Sequence, residues 1–216
     1  MIKRAIIGDI HGDSAHLRAL LAKNELQGRS LIFTGDLVNR GPDSCGVLEQ
    51  VESLRATGVE VRLLLGNHEL LLMDYVRTGN FVRFAVHGGI STIRSYVNTA
   101  HGNVHQQFLK SFPDNHRALI ESAQSHYEDG DVLVTHAGIS LVRPSSRDIK
   151  DVVLDSHPEL FASNFDLGKL LVCGHYVQRN GVPFSKPNFI CIDTGCGTNN
   201  GPLTALLLPE RLFVTA

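Results

Sequence analysis

The sequence predicts an α/β fold in which strands alternate with amphipathic helices and a second sheet packs on the first. An apolar run, a Gly-Asp or Gly-Asn loop and a helical segment recur three times in the N-terminal third. The final third is dense in short apolar runs and has few long helical patterns. The 216 residues are 43% hydrophobic, with no composition shift or low-complexity run, which suits a single domain over residues 1–216 with a sizeable core.

In chain order, KRAIIGDIHGD leads into SAHLRALLAKN, SLIFTGDLVNRGPD into SCGVLEQVESLRA, and VEVRLLLGNHE into LLLMDYVRTG. Such units build a sheet with helices on its faces, and ligands of these sheets sit beyond the carboxyl ends of the strands, where all three Gly loops fall. In GPDS, Asp43 or Ser44 is available to cap the second helix. From about Asn80 to Asp129 the chain shows helical stretches such as HRALIESAQSHYED and no further strand-loop signal, so this part is expected to flank the sheet. Strands return in DVLVTHAG, KLLVCGHY, NFICIDTG and PLTALLLP, with RLFVTA as a last edge strand.

Twenty basic and 22 acidic residues are mixed along the chain, so neither a nucleic-acid polymer nor a membrane surface is an expected partner. A small-molecule or protein partner fits better; nothing in the sequence sets the oligomeric state. The start, MIKRAIIGDIHG, has no long apolar region or small-residue cleavage site, and a cytoplasmic location is expected. Cys45, Cys173, Cys191 and Cys196 form no CxxC pair and read as free thiols in a reducing compartment.

The polar residues just after strands carry the chemistry: Asp9 and His11, Asp36, Asn67 and His68, His136, and His175. A single Asp or His in such a place is usually a turn former or a packing residue. Five loops with the same character change that balance. Imidazole with carboxylate and carbonyl oxygen suits divalent manganese, iron or zinc, and the absence of thiolate argues against a structural zinc cage. The set is large enough for two ions.

The ordered motifs GDxHG, GDxVxRG, GNHE, HAG and GH, with HGGISTIRSY and IDTGCGTNNGPLTALLL, resemble the calcineurin-like metallophosphoesterases. Within that family they are similar to bacterial PPP-type serine/threonine phosphatases and symmetrical diadenosine tetraphosphatases. The resemblance runs from Gly8 to about Leu208 and implies a four-layer αββα sandwich of two mixed sheets flanked by helices. It implies that Asp9, His11 and Asp36 hold one metal, that Asp36, Asn67, His136 and His175 hold the other, and that Asp36 bridges them. Manganese is the expected ion, with iron, zinc or nickel as alternatives. The implied reaction is direct hydrolysis by a water activated between two metals about 3.5–4 Å apart. His68 would protonate the leaving oxygen, and Arg40, whose fork matches two phosphate oxygens, would clamp the phosphoryl group alongside Asn67.

Two departures from the family pattern bear on substrate. Asn39 stands where the phosphatases usually carry an Asp that pairs with the catalytic His, so Asn39 can orient His68 but brings no charge to it. No Trp occurs, so the usual Trp-x-Arg phosphate-binding segment is missing, and Arg143 and Arg147 are the arginines in that interval that can substitute. His87 replaces the Asn of NGG and reads as structural; His101, His105, His116 and His126 match no motif and read as surface or packing residues. The leading expectation is a serine/threonine, or dual-specificity, protein phosphatase. The alternatives are a bis(5'-nucleosyl)-tetraphosphatase, which Asn39 keeps open and which GNHE and the scarcity of aromatic platforms disfavour, and a degenerate homologue that binds a phosphorylated partner without turnover.

Overall fold

The computed structural model describes residues 2–98 and 102–216, so His101 lies outside the described residues. Strand β1 (Arg4–Ile7) leads into α1 (Ser14–Leu21), β2 (Ser30–Phe33) into α2 (Ser44–Ala56), and β3 (Val61–Leu63) into α3 (Asn67–Thr78), the three units expected. Local chemistry sets the helix starts. Asp13 accepts from the His16 N–H at 3.1 Å to cap α1, and Asp43 accepts from the Gly46 N–H at 2.9 Å to cap α2.

Helices α4 (Phe81–Val86), α5 (Gly89–Tyr96), α6 (Val104–Ser111) and α7 (Asp114–Glu121) follow. They pack through aromatic pairs: Tyr75 stacks on Phe84 and Phe108 on Phe112, with ring centroids 4.7 and 5.2 Å apart. His116 is buried here with its Nδ1 2.7 Å from the Tyr96 hydroxyl, a packing residue as expected. The helical reading that ran on to Asp129 is corrected by the structure. Gln124 exchanges backbone hydrogen bonds with Leu63 and Leu65, which draws the chain out of the helix, and β4 (His126–Glu128) then pairs antiparallel with β5 (Val132–Thr135).

Helix α8 (Glu159–Ala162) precedes β6 (Leu170–Cys173), and β7 (Phe184–Ser185) and β8 (Phe189–Cys191) complete a second mixed sheet in the order β4-β5-β6-β8-β7. The last strands, β9 (Thr204–Leu208) and β10 (Leu212–Thr215), return to the first sheet. Strand β9 runs antiparallel to β1, giving the order β10-β9-β1-β2-β3.

The period of two along each strand sorts the side chains into three apolar layers. Ala5, Ile7, Leu31, Phe33 and Leu207 face α1–α7, whereas Ile6, Ile32, Val134, Val172, Ile190 and Leu206 meet between the sheets. Leu133, Leu171 and Phe189 face outward onto Val152, Val153 and Leu160 of a thin outer layer that includes α8. The result is the αββα sandwich. Each such side chain contributes about 1.5–3 kcal/mol on burial, and a one-residue slip would exchange every layer, so the register that aligns the strand ends is strongly held. None of the described helices is long and apolar enough to cross a membrane.

Candidate metal centre and active site

Six strand-end loops meet on one rim: those after β1, β2, β3, β5, β6 and β8. Their backbone is bent to bring side chains inward. Of the seven described non-glycine residues with positive φ, five belong here: His11 at 47°, Asp36 at 52°, Asn39 at 71°, Arg40 at 68° and His175 at 67°. Each costs on the order of 1–3 kcal/mol, strain that persists where surrounding packing over-determines it. Gly35 shows how tight the approach is, because a Cβ there would lie 2.4 Å from the Gly66 nitrogen.

Asp36 sits between two groups of donors. Its Oδ1 lies 3.5 Å from His136 Nε2, and its Oδ2 lies 3.6 Å from His11 Nε2 and 3.9 Å from His68 Nε2. On the Oδ1 side, Asn67 Oδ1 is 3.0 Å from His136 Nε2 and 3.1 Å from His175 Nδ1, and those two ring nitrogens are 3.2 Å apart. Backbone carbonyls orient the rings. His136 Nδ1 donates to Thr34 O at 3.0 Å and His11 Nδ1 to Val38 O at 3.3 Å, which leaves both Nε2 lone pairs facing Asp36. Asp36, His136 and His175 form one group whose ligand atoms lie within 4.8 Å of one another, and His11, Asp36 and His68 form another.

This donor set fits divalent cations. Lone pairs of imidazole, amide oxygen and carboxylate converge on the Oδ1 side, and a bare Nε2 faces the carboxylate on the other. Burial holds the acid of Asp36 well above its ordinary range, with Glu69 adding to the rise, and it pushes the His11 imidazole down to about 3, with Arg40 adding to the fall. Behind Asp36, Asp9 is also buried and raised, first by burial and then by Asp193 and Asp36. Asp9 accepts from Thr34 Oγ1 at 3.1 Å and from the His175 N–H at 2.9 Å, and it belongs to neither close group; His68 stands in that place. A third close group, Asp13, His16 and Cys196, is explained by the α1 cap, in which His16 Nδ1 also meets Asp13 Oδ2 at 2.8 Å.

Two residues of this rim were not singled out in the sequence. Asp193, two residues past β8, is buried beside Asp9, and its Oδ2 has no hydrogen-bond partner among the described residues. Its position just after a strand and two before Gly195 is the same signal the other loops carry. Glu69 is the other. Its Oε2 accepts from the Asp36 and Gly66 N–H groups at 2.7 and 2.9 Å, and its Oε1 accepts from the Leu37 N–H at 2.8 Å, so one carboxylate ties the Asp36 loop to the Asn67 loop. Only the tertiary contact reveals it.

His68 and Asn39 meet as expected. The Thr92 hydroxyl donates to Asn39 Oδ1 at 2.7 Å, which turns Asn39 Nδ2 to His68 Nδ1 at 3.0 Å. A neutral His68 therefore keeps its proton on Nε2, facing the donor groups. Burial pushes the His68 imidazole down to about 2, with the charges of His11 and Arg40 adding. The Arg40 backbone is fixed by its N–H to Gly88 O at 3.1 Å, while its exposed side chain extends beside the site. Arg143 and Arg147 are engaged elsewhere. Arg143 pairs with Asp151, and Arg147 Nε meets Glu128 Oε2 at 2.9 Å. Neither lines the groove that opens from Asn67 and His175.

The family model for calcineurin-like phosphoesterases matches residues 2–179. The asymmetrical bis(5'-nucleosyl)-tetraphosphatase PrpE of Bacillus velezensis is 31% identical, over 97% of this chain and 90% of that protein. The symmetrical bis(5'-nucleosyl)-tetraphosphatase of Klebsiella pneumoniae subsp. pneumoniae is 53% identical over 70 residues, 32% of this chain and 24% of its own length. In fold, the crystal structure of a cold-active protein-tyrosine phosphatase from a psychrophilic Shewanella species has a TM-score of 0.59 at 19% identity, over 100% of this chain and 80% of that one.

Proposed function

The chain belongs to the calcineurin-like phosphoesterases, a family of hydrolases, and from that premise we propose that it hydrolyses dinucleoside polyphosphates such as diadenosine tetraphosphate in preference to phosphoproteins. The observation that carries this reading is the amide at position 39. A phosphoserine leaves as a strongly basic alkoxide and needs a full proton from an imidazolium. A nucleoside phosphate leaves as a phosphate whose second pKa is about 6 and needs little more than a hydrogen bond. Asn39 donates to His68 Nδ1 and brings no negative charge, so His68 stays a neutral Nε2–H donor, which suits the second leaving group. The full-length likeness to a tetraphosphatase supports the same choice.

Asp36, Asn67, His136 and His175 would hold one divalent ion, and Asp36 with His11 and Asp9 the other, manganese being the proposed metal. When bound, the ions supply a water of lowered pKa and positive charge for the phosphoryl oxygens. Arg40 binds two oxygens of the phosphoryl group through its fork. His68 aims its Nε2–H at the departing oxygen. Glu69 and Thr92 fix the loops and the amide on which these positions depend.

The test is kcat/KM of the Mn²⁺-loaded protein on diadenosine tetraphosphate, a phosphoserine peptide and a phosphotyrosine peptide. The dinucleotide is expected to lead, and His68→Asn is expected to cost about tenfold on it against roughly 10²–10⁴-fold on phosphoserine, the usual range for general-acid catalysis. Asp36→Asn is expected to abolish turnover together with manganese uptake measured by metal analysis. A phosphopeptide preferred over the dinucleotide returns the phosphoprotein reading, and no turnover of any substrate favours a binding protein.

A further inference from the structure

A groove of about 890 Å³ opens from Asn67 and His175 and runs along α3 toward Arg77. Asn67 and Arg77 stand ten positions apart on α3, so the groove reaches about 15 Å from Asn67. That is far more than one phosphoryl group needs. Its charged lining is uneven: Arg77 of α3, Arg83 of α4 and Arg117 of α7 stand against Asp74 and Glu121. Asp74 is already shared, bonded to Arg77 at 3.0 Å and 3.9 Å from Arg83.

Arg117 differs from the other two arginines. It is half-buried, its Nε is inaccessible to water and has no hydrogen-bond partner, and its guanidinium makes no ion pair among the described residues, not even with Glu121 one turn away. The rest of the half-exposed guanidinium lines the groove with no protein acceptor among the described residues, so its terminal nitrogens are open to an anionic ligand there. The groove also passes near His68, the proposed proton donor to the leaving group. His87, on its wall, has its ring 6.3 Å from that of His68. Met73, Leu70 and Leu154 add apolar surface between the charges.

Resting on the dinucleotide reading above, we infer that this groove is a leaving-group subsite in which Arg117 and Arg83 bind the phosphates beyond the scissile one, while Met73, Leu70 and Leu154 cover the attached nucleoside. A chain of several phosphates satisfies more than one guanidinium along the groove at once. The apolar stretch supplies, from aliphatic side chains, the base-covering surface for which no aromatic platform was evident in the sequence. Arg117 takes the place in substrate binding that Arg143 and Arg147, held in other ion pairs, do not reach in this structure.

The test compares wild type, Arg117→Ala, Arg117→Lys and the control Arg18→Ala, which removes an exposed arginine of α1. Each Mn²⁺-loaded protein is assayed on diadenosine tetraphosphate and on p-nitrophenyl phosphate, which has nothing to place in the groove, and is titrated with a fluorescent ATP to give a Kd independent of turnover. Arg117→Ala is expected to lose about tenfold or more in kcat/KM on the dinucleotide, chiefly through KM, and tenfold in ATP affinity. Its loss on p-nitrophenyl phosphate is expected to be several-fold smaller, Arg117→Lys should recover part of the affinity, and Arg18→Ala should match wild type. Equal losses on both substrates, or an unchanged ATP Kd, overturn the subsite, as does a loss on a phosphoserine peptide without one on ATP. A wild type that binds ATP through Arg117 but fails to cleave the dinucleotide refutes the proposed reaction and leaves the subsite standing.

Discussion

A carboxylate at position 39 would face His68 Nδ1 across about the 3.0 Å that Asn39 Nδ2 now spans. Its negative charge would favour the imidazolium and raise the His68 pKa, by on the order of one to three units for an opposite charge so close. The Thr92 hydroxyl that now donates to Asn39 Oδ1 can donate equally to a carboxylate oxygen, so the exchange needs no repacking. Asn39→Asp is therefore expected to move the alkaline limb of the kcat/KM profile for a phosphoserine peptide upward by about one to two pH units, and to leave the profile for diadenosine tetraphosphate nearly in place. Superimposable phosphoserine profiles for the two proteins would mean that position 39 does not set the protonation of His68.

At the scale of elements, the site depends on how helix starts hold the loops. Gly88, the N-cap of α5, has a φ of 83° and a carbonyl that accepts the Arg40 N–H at 3.1 Å. A Cβ on Gly88 would lie 2.9 Å from Arg40 N and 3.0 Å from its Cα, so Gly88→Ala pushes the guanidinium off its line to the phosphoryl group. The left-handed backbone adds about 1–2 kcal/mol of strain, whereas a displacement near 1 Å at a catalytic group can cost about 10²-fold in rate. We expect kcat/KM to fall roughly 10- to 100-fold while urea unfolding shows a loss of only about 1–2 kcal/mol; wild-type turnover in a destabilised Gly88→Ala would show that α5 does not position Arg40. Such dependence also explains what could be read beforehand. The runs around Ile6, Ile32 and Val172, with Gly just beyond and Asp43 available as a cap, are local signals, and so the strand-loop-helix units and their rim were legible. Glu69 looks like any helical acid until its carboxylate is seen under four backbone N–H groups. Arg117 has no motif at all, and β4 exists because Gln124 meets Leu63 and Leu65 across the fold.

Over the whole molecule, the rim concentrates buried titratable groups that pull stability in opposite directions with pH. Asp9, Asp36, Glu69 and Asp193 have raised pKa values, burial being the first cause for each, with Asp193 pushed up to about 6. A raised carboxyl binds more protons folded than unfolded, so its contribution falls as pH rises from near 4 through its folded value. His11, His68, His136 and His175 are lowered, again mainly by burial, so the unfolded chain takes up their protons first and stability is lost as pH falls below about 6.5. Above that value the histidines are neutral in both states and the raised carboxyls alone set the trend, stability falling as each ionises in the folded protein. Metal-stripped protein is therefore expected to melt highest across about pH 4.5–6.5, where the raised carboxyls and the lowered histidines offset one another, and progressively lower on either side. Divalent ions on the rim would favour the ionised carboxylates and bind only the folded state, adding about 2.7 kcal/mol per site at a hundredfold excess over Kd. At this chain length that is about 5–10 °C per site, so saturating Mn²⁺ at pH 7.5 should raise Tm by at least that much and move the maximum to higher pH. Asp36→Asn, which removes the carboxylate between the two donor groups, should flatten the alkaline fall and abolish the response to Mn²⁺ together. A Tm that climbs steadily with pH in the stripped protein and ignores Mn²⁺ would mean that these carboxylates are neutralised by something other than a bound cation.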